Sequence, residues 1–286
     1  MKDFVPSLLI DRGDNVIQMI TDFNPYLAFI QEINSDMCFS DPMLSNDEQI
    51  KANLLNVIYK SDNKVLGVFN GNQIIGLFVF LIIDDEKYIE MLVGLSKEKR
   101  AYEEIMAYLV EHYKGYKTDF VYNPKNQLLQ EQLEKQNAFF YPEQLKMVLR
   151  DRVSYTSNKQ IELYSDIYKE QYLQMHSKDG YWTGEKVLEA SNRFRVLLAI
   201  EDGDVVGYTD VTYAFDENEP FDMFVKEEYR RNGYGKAMMA KAIELNEPKS
   251  MMLLVDYDNA GAIALYESLG FVRVERENNI TASLIL

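Results

Sequence analysis

The residues best suited to chemistry lie between positions 219 and 236. There Phe221-Asp222-Met223-Phe224-Val225 reads as a strand, and Arg230-Arg231-Asn232-Gly233-Tyr234-Gly235-Lys236 reads as a glycine loop opening a helix. A helix start offers amides with no intrahelical acceptor at the positive end of its dipole, and such a terminus favours an anion. Gly233 and Gly235 allow close backbone approach to a diphosphate, and Arg230, Arg231 and Lys236 add positive charge. The spacing fits neither a P-loop, which needs four residues between its glycines, nor a dinucleotide fingerprint, which needs Gly or Ala where Met238 stands.

Two carboxylates flank this strand, Glu219 at its start and Asp222 within it. Strand alternation predicts Glu219 on the face of Phe221, Met223 and Val225, with Asp222 opposite. Further on, Asn259-x-x-Ala262-x-x-Leu265-Tyr266-x-x-x-Gly270-Phe271 reads as a capped helix: Asp258 or Asn259 starts it, Gly270 ends it in a left-handed turn, and Ala262, Tyr266 and Leu269 share a face.

The elements that position these residues form a pattern that occurs twice. Val196–Ile200, the turn Asp202-Gly203-Asp204 and the strand starting Val205-Val206-Gly207-Tyr208 have counterparts in Val65–Phe69, Asn70-Gly71-Asn72 and Ile74-Ile75-Gly76-Leu77. The strand Tyr88–Val93 parallels Pro220–Val225, Val93 and Val225 being 132 residues apart. Helices follow at Tyr102–Tyr113 and Lys236–Leu245, strands at Lys117–Tyr122 and Ser250–Val255, then helices at Gln127–Gln136 and Ala260–Leu269. Helices are also expected at Asn15–Ile33, Asp47–Tyr59, Asp166–Met175 and Glu185–Asn192. The prediction is an α/β (α+β mixed) chain of two domains, residues 1–152 and 153–286, each a mixed, mostly antiparallel sheet with helices on both faces.

Composition narrows the function. With 30 basic and 46 acidic side chains the formal charge is −16, which disfavours nucleic acid and favours a cationic amine. One cysteine, Cys38, and two histidines, His112 and His176, are too few for a structural zinc site, so no metal is expected. The apolar run Ile74–Ile83 suits a buried strand better than a membrane span, and Met1–Ile10 reads as no signal peptide, which predicts a cytoplasmic protein with no membrane partner.

The loop and the capped helix together resemble motifs A and B of the GNAT superfamily of acyl-CoA N-acyltransferases, motif A being Arg230-x-x-Gly233-x-Gly235. The resemblance implies acetyl-CoA as co-substrate, bound through Arg230 to Lys236, Asn259 and Ala262, with pantetheine meeting the backbone of Phe224 and Val225 where two strands splay. It implies direct attack of a primary amine on the thioester, Tyr266 as the acid near sulfur and Glu219 as base, with Asp222 as competitor. The acceptor is then a small-molecule or peptide amine. A non-catalytic acyl-CoA sensor or scaffold is the alternative. In the first domain Glu98, Ala101, Glu103 and Glu134 stand where Arg230, Gly233, Gly235 and Tyr266 do at the 132-residue spacing, so that copy is expected to lack a cofactor site.

Overall fold

The structure, a computed structural model, describes residues 8–12, 15–44, 63–178, 181–274 and 277–286. The chain folds into two compact units, Met1–Gln144 with Glu275–Leu286, and Leu145–Val274. The first unit contains β1 (Leu8–Arg12), β2 (Asn15–Met19), α1 (Leu27–Asn34), β3 (Asn63–Asn70), β4 (Gln73–Ile83), β5 (Tyr88–Leu95), α2 (Lys99–His112), β6 (Lys117–Tyr122), α3 (Gln127–Lys135) and β7 (Phe139–Phe140). The second contains β8 (Gln144–Leu149), β9 (Gln160–Leu163), α4 (Lys169–Met175), α5 (Gly184–Glu189), β10 (Phe194–Glu201), β11 (Asp204–Thr212), β12 (Glu217–Asn218), β13 (Pro220–Val225), α6 (Tyr234–Asn246), β14 (Ser250–Asp256), α7 (Ala260–Glu267) and β15 (Phe271–Arg273). A last strand, β16 (Ile280–Ile285), returns to the first unit.

The contiguous division at 152/153 differs from this arrangement. In the first unit the strand order is β1-β2-β3-β4-β5-β6-β16-β7, with β16 antiparallel to β6 from Ile280↔Tyr122 to Ile285↔Lys117. In the second, β8 takes the corresponding place in the order β12-β14-β8-β15. The two halves have therefore exchanged their last strands.

The mostly antiparallel mixed sheets are as expected, and each unit includes a parallel pair, β5–β6 and β12–β14. In the first unit, Phe78, Phe80, Tyr102, Ile105 and Leu109 build a core beneath α2 and α3, and Ile30, Ile33, Val79 and Val93 build another on the opposite face. In the second, Leu197, Met239, Leu253 and Tyr266 form the core under α6 and α7, and Tyr172, Val187, Leu198 and Tyr208 form the core under α4 and α5. The expected helix Asn15–Ile33 is corrected: Asn15–Met19 is a strand paired with β3, and helix begins only at Leu27. Pro25, in the intervening 3-10 turn, separates the two. The expected helix Asp47–Tyr59 lies outside the described residues.

The repeat survives in detail, with its spacing corrected. In one hairpin the register slips between Val79 and Phe80, which faces Met91; in the other it slips between Asp210 and Val211, which faces Pro220. Met91, rather than Tyr88, therefore takes Pro220's place. Similarly, Asn126 and Asn259 cap α3 and α7 by accepting from the amide three residues on. With the caps matched, Tyr266 corresponds to buried Leu133 rather than Glu134.

Candidate active site

In the second unit β12 pairs parallel with β14 for two residues, Glu217↔Ser250 and Asn218↔Met251. Beyond this point β13 is the edge of one sheet, while β14 belongs to the other. The parting begins at Pro220, which has no N–H to continue a ladder. A gap between β13 and β14 results, leading toward the loop at 230–236.

The two strand residues expected at this gap are not equivalent. Lys226 N–H donates to Val206 O, and antiparallel alternation then commits the backbone of Phe224 to Tyr208 on β11 and turns that of Val225 outward. The expected backbone contact from Phe224 is thereby corrected. Arg230 Nε donates to the outward carbonyl of Val225 at 2.9 Å, and its guanidinium lies 5.7 Å from the Phe224 ring centre. Arg230 thus braces the loop on the strand.

Two left-handed residues shape the loop, Arg231 at φ 61° and Gly233 at φ 87°. Such a conformation is uncommon for a non-glycine residue and turns successive amides toward a shared concavity. Gly233 is the N-cap of α6 and makes no side-chain cap, so the amides of Tyr234, Gly235 and Lys236 precede the first intrahelical bond, from Ala237 N–H to Gly233 O at 2.9 Å. A Cβ on Gly235 would lie 3.3 Å from Leu265 Cδ1, so glycine also permits close packing of α7. Arg231 and Asn232 are exposed, and Lys236 Nζ lies 4.8 Å from the Tyr155 ring centre. Tyr234 points inward: its ring is buried with Ala199, Val206 and Met238, and its hydroxyl donates to Glu201. Tyr234 therefore contributes to the loop through its backbone amide and not through its hydroxyl.

On the far side of the gap, Asn259 Oδ1 accepts from Ala262 N at 3.1 Å and fixes the start of α7. Tyr266 is buried against Phe271, and burial, with the Asp222 charge adding to it, pushes its hydroxyl up to about 12. The hydroxyl therefore stays protonated through neutral pH.

The expected opposition of Glu219 and Asp222 is corrected by a bulge. Register passes from Asp210↔Asp222 to Val211↔Pro220, leaving Phe221 as the extra residue, and an extra residue shifts the two-residue period by one. Glu219 consequently no longer alternates with Met223 and Val225. Burial raises its carboxyl to about 7, against the lowering effect of Arg193 and Lys146. Asp222 accepts from Tyr208 Oη at 2.7 Å.

Behind Asp222 is a cluster that sequence reasoning missed. Asp210 is fully buried, accepts from Tyr172 Oη at 3.0 Å and lies 2.8 Å from His176 Nε2, which is 3.8 Å from Asp222 Oδ2. His176, Asp210 and Asp222 offer ligand atoms within 4.8 Å of one another, but His176 and Asp210 are already bonded to each other, to Ser177 O and to Tyr172. A strand register pairing Asp210 with Asp222 would have revealed the cluster. Tyr181 and Trp182, by contrast, form a connecting loop: Trp182 packs on Phe194 with ring centres 4.9 Å apart, and Thr183 caps α5. A cavity of about 620 Å³ lined by Leu163, Lys169, Glu185 and Phe194 contains none of the expected site residues. Among the described residues, no helix is long and apolar enough to cross a membrane.

Comparison with known proteins bears on the same segment. The model of the Acetyltransferase (GNAT) family matches residues 161–271. The ribosomal protein bS18-alanine N-acetyltransferase of Escherichia coli (strain K12) is 35% identical over 82 residues, 28% of this chain and 55% of the relative. The chain thus spans about half the length of the curated relatives it matches. A solved GCN5-related N-acetyltransferase from Sphaerobacter thermophilus shares the fold over 96% of each chain, with a TM-score of 0.63 and 10% identity. The glucosamine N-acetyltransferase region of a fungal multi-domain GH3 β-N-acetylglucosaminidase does so over 96% of this chain and 38% of that one, with a TM-score of 0.60 and 11% identity. Both motifs lie inside the matched segment, so residues 161–271 are similar to the Acetyltransferase (GNAT) family, and the same strand and helix plan recurs in the first unit.

Proposed function

We propose that the unit Leu145–Val274 binds acetyl-CoA and transfers its acetyl group to a primary amine. The observation that carries this reading is the opening between β13 and β14, with the free-amide loop at one end and Tyr266 within electrostatic reach of Asp222 across it. The loop amides and Arg231 hold the pyrophosphate, and the outward amide of Val225 meets the pantetheine arm. Asn259 and Ala262 present the start of α7 to the cofactor.

The acceptor arrives as an ammonium, and Asp222 supplies the negative charge that holds it. Glu219, at about 7, takes one proton, directly or through water, because a base that titrates near the working pH combines basicity with availability. The amine nitrogen bonds to the acyl carbon, the carbon–sulfur bond breaks, and sulfur leaves with the bonding pair. Tyr266 hydrogen-bonds to sulfur as this charge develops and delivers its proton to give free thiol, and the second proton lost from the amine nitrogen restores the tyrosine hydroxyl through water, leaving neutral amide. As an acid weakened by burial, it acts mainly once the thiolate has formed. No resident metal is invoked.

The name of the bS18-alanine enzyme and the acidic balance of this chain favour a peptide α-amine or another cationic amine as acceptor. The test is thiol release from acetyl-CoA with a panel of benzylamine, glucosamine, spermidine and an alanine-terminated peptide. Amine-dependent release that is lost in Tyr266→Phe supports transfer. Tight acetyl-CoA binding with no release for any amine would favour the sensor reading instead.

A further inference from the structure

Asp210 and Asp222 stand directly opposite each other on adjacent antiparallel strands, a position where like charges destabilise a sheet. The fold has no need of them: the matching pair across the corresponding bulge in the first unit is Val79↔Val93, both buried. In the second unit a histidine is inserted at the same level. Its Nδ1 faces Ser177 O at 2.9 Å, an atom that only accepts, so Nδ1 carries a proton. Its Nε2 faces two carboxylates, at 2.8 and 3.8 Å, so a second proton lies between Nε2 and Asp210.

We propose that His176 and Asp210 form a positioning pair that holds the Asp222 carboxylate in place, aimed at the acceptor ammonium. This rests on the acetyl-transfer reading above. One imidazolium between two aspartates leaves the cluster with a single net negative charge, and Asp222, half-buried on the edge strand β13, is its most exposed member. The Tyr208 ring stacks on His176 with centres 5.0 Å apart, while its hydroxyl holds Asp222, so ring and carboxylate are fixed together. The groups facing His176 are Tyr172 of α4, Tyr208 and Asp210 of β11, Asp222 of β13 and, at longer range, Glu185 of α5. Burial works against the charged ring, but the hydrogen bonds to Asp210 and Ser177 and both aspartate charges outweigh it, holding its proton above the ordinary histidine range. Without His176 the two aspartate charges would face each other uncompensated, and their repulsion would turn Asp222 out of place.

Two measurements on the full chain test this. With only two histidines in the sequence, nuclear magnetic resonance of labelled imidazole can follow His176, using His112→Gln for assignment. His176 should titrate above the ordinary range, and Asp222→Asn should lower its midpoint. In the amine-panel assay, His176→Gln should raise the KM for the best amine about tenfold at pH 7, with kcat and the KM for acetyl-CoA nearly unchanged. A merely structural role would not couple the His176 midpoint to Asp222 or confine the defect to the amine KM. A His176 midpoint insensitive to Asp222→Asn, or a loss in kcat with the amine KM unchanged, overturns the proposal. Absence of transfer by the wild-type protein overturns the acetyl-transfer reading and the positioning role with it, while a responsive His176 midpoint would still identify the pair.

Discussion

The two units apply one strand and helix plan to opposite ends. In the second, β13 and β14 part after a two-residue ladder, and the edge amides of β13 face the gap. In the first, the parallel ladder continues to Met91↔Phe120, and the strand beyond is occupied by the chain itself. Asp41, buried, accepts from Gly94 N at 2.9 Å on β5, and Asn123, just past β6, donates to Met37 O and Ser40 O at 3.1 and 3.2 Å. The turn at 37–44 thus ties together the two strand ends that the second unit leaves open. The loops differ as well: α2 starts at Lys99 straight after Glu98, with Ala101 fully buried, where the second unit has two left-handed residues. A cofactor site in this plan therefore needs more than a motif, because the strand gap must also be left unfilled.

The largest effect is expected from removing the Tyr266 hydroxyl, where the first unit has Leu133. Tyr266→Phe, or Tyr266→Leu copying Leu133, should lower turnover roughly ten- to a thousandfold with acetyl-CoA affinity nearly kept. Wild-type turnover in Tyr266→Phe would remove the residue from the mechanism.

Next, Gly235→Glu or Arg231→Glu should weaken acetyl-CoA at least about tenfold, on the order of 1.4 kcal/mol, as measured by calorimetric titration of folded protein. The wild-type stoichiometry should be one acetyl-CoA per chain. A value near two, with one site surviving Gly235→Glu, would show that the tied strands of the first unit still admit a cofactor.

The pH dependence should identify the base. A carboxyl held at about 7 is protonated below that pH, so kcat/KM should rise through pH 7, and Glu219→Gln should abolish the rise together with most of the rate. The stability sign follows from the same shift. Because the folded value lies above the ordinary 4.5, ionised Glu219 costs stability increasingly as pH rises from 4.5 to 7, and Glu219→Gln should flatten that slope in thermal unfolding. If the rise survives in Glu219→Gln and disappears in Asp222→Asn, Asp222 is the base.

The smallest effect on function belongs to the first unit. Asp41 receives amides on both carboxylate oxygens, from Met43 and Gly94, and asparagine offers only one acceptor. Asp41→Asn should therefore destabilise the protein by about 1–3 kcal/mol, with acetyl-CoA affinity unchanged. A gain of a second binding site in this variant would mean that the turn at 37–44 actively excludes a ligand.

What the sequence by itself determined was local. The turns at Asn70-Gly71 and Asp202-Gly203, the Asn259 cap, the loop from Arg230 to Gly235 and the placing of Tyr266 on a capped helix all depend on residues a few positions apart. Tertiary structure decided everything that depends on which strand lies beside which, and at what register. The bulge at Phe221 reset the alternation that would have placed Glu219. The exchange of β8 and β16 moved the domain boundary. Asp41 reached Gly94 from fifty-three residues away, and His176 met Asp210 and Asp222 only after a helix and two strands had closed around them. Hydrogen bonds and charges between distant segments carry no period in the sequence, so the glycine loop was legible there and the acidic cluster was not.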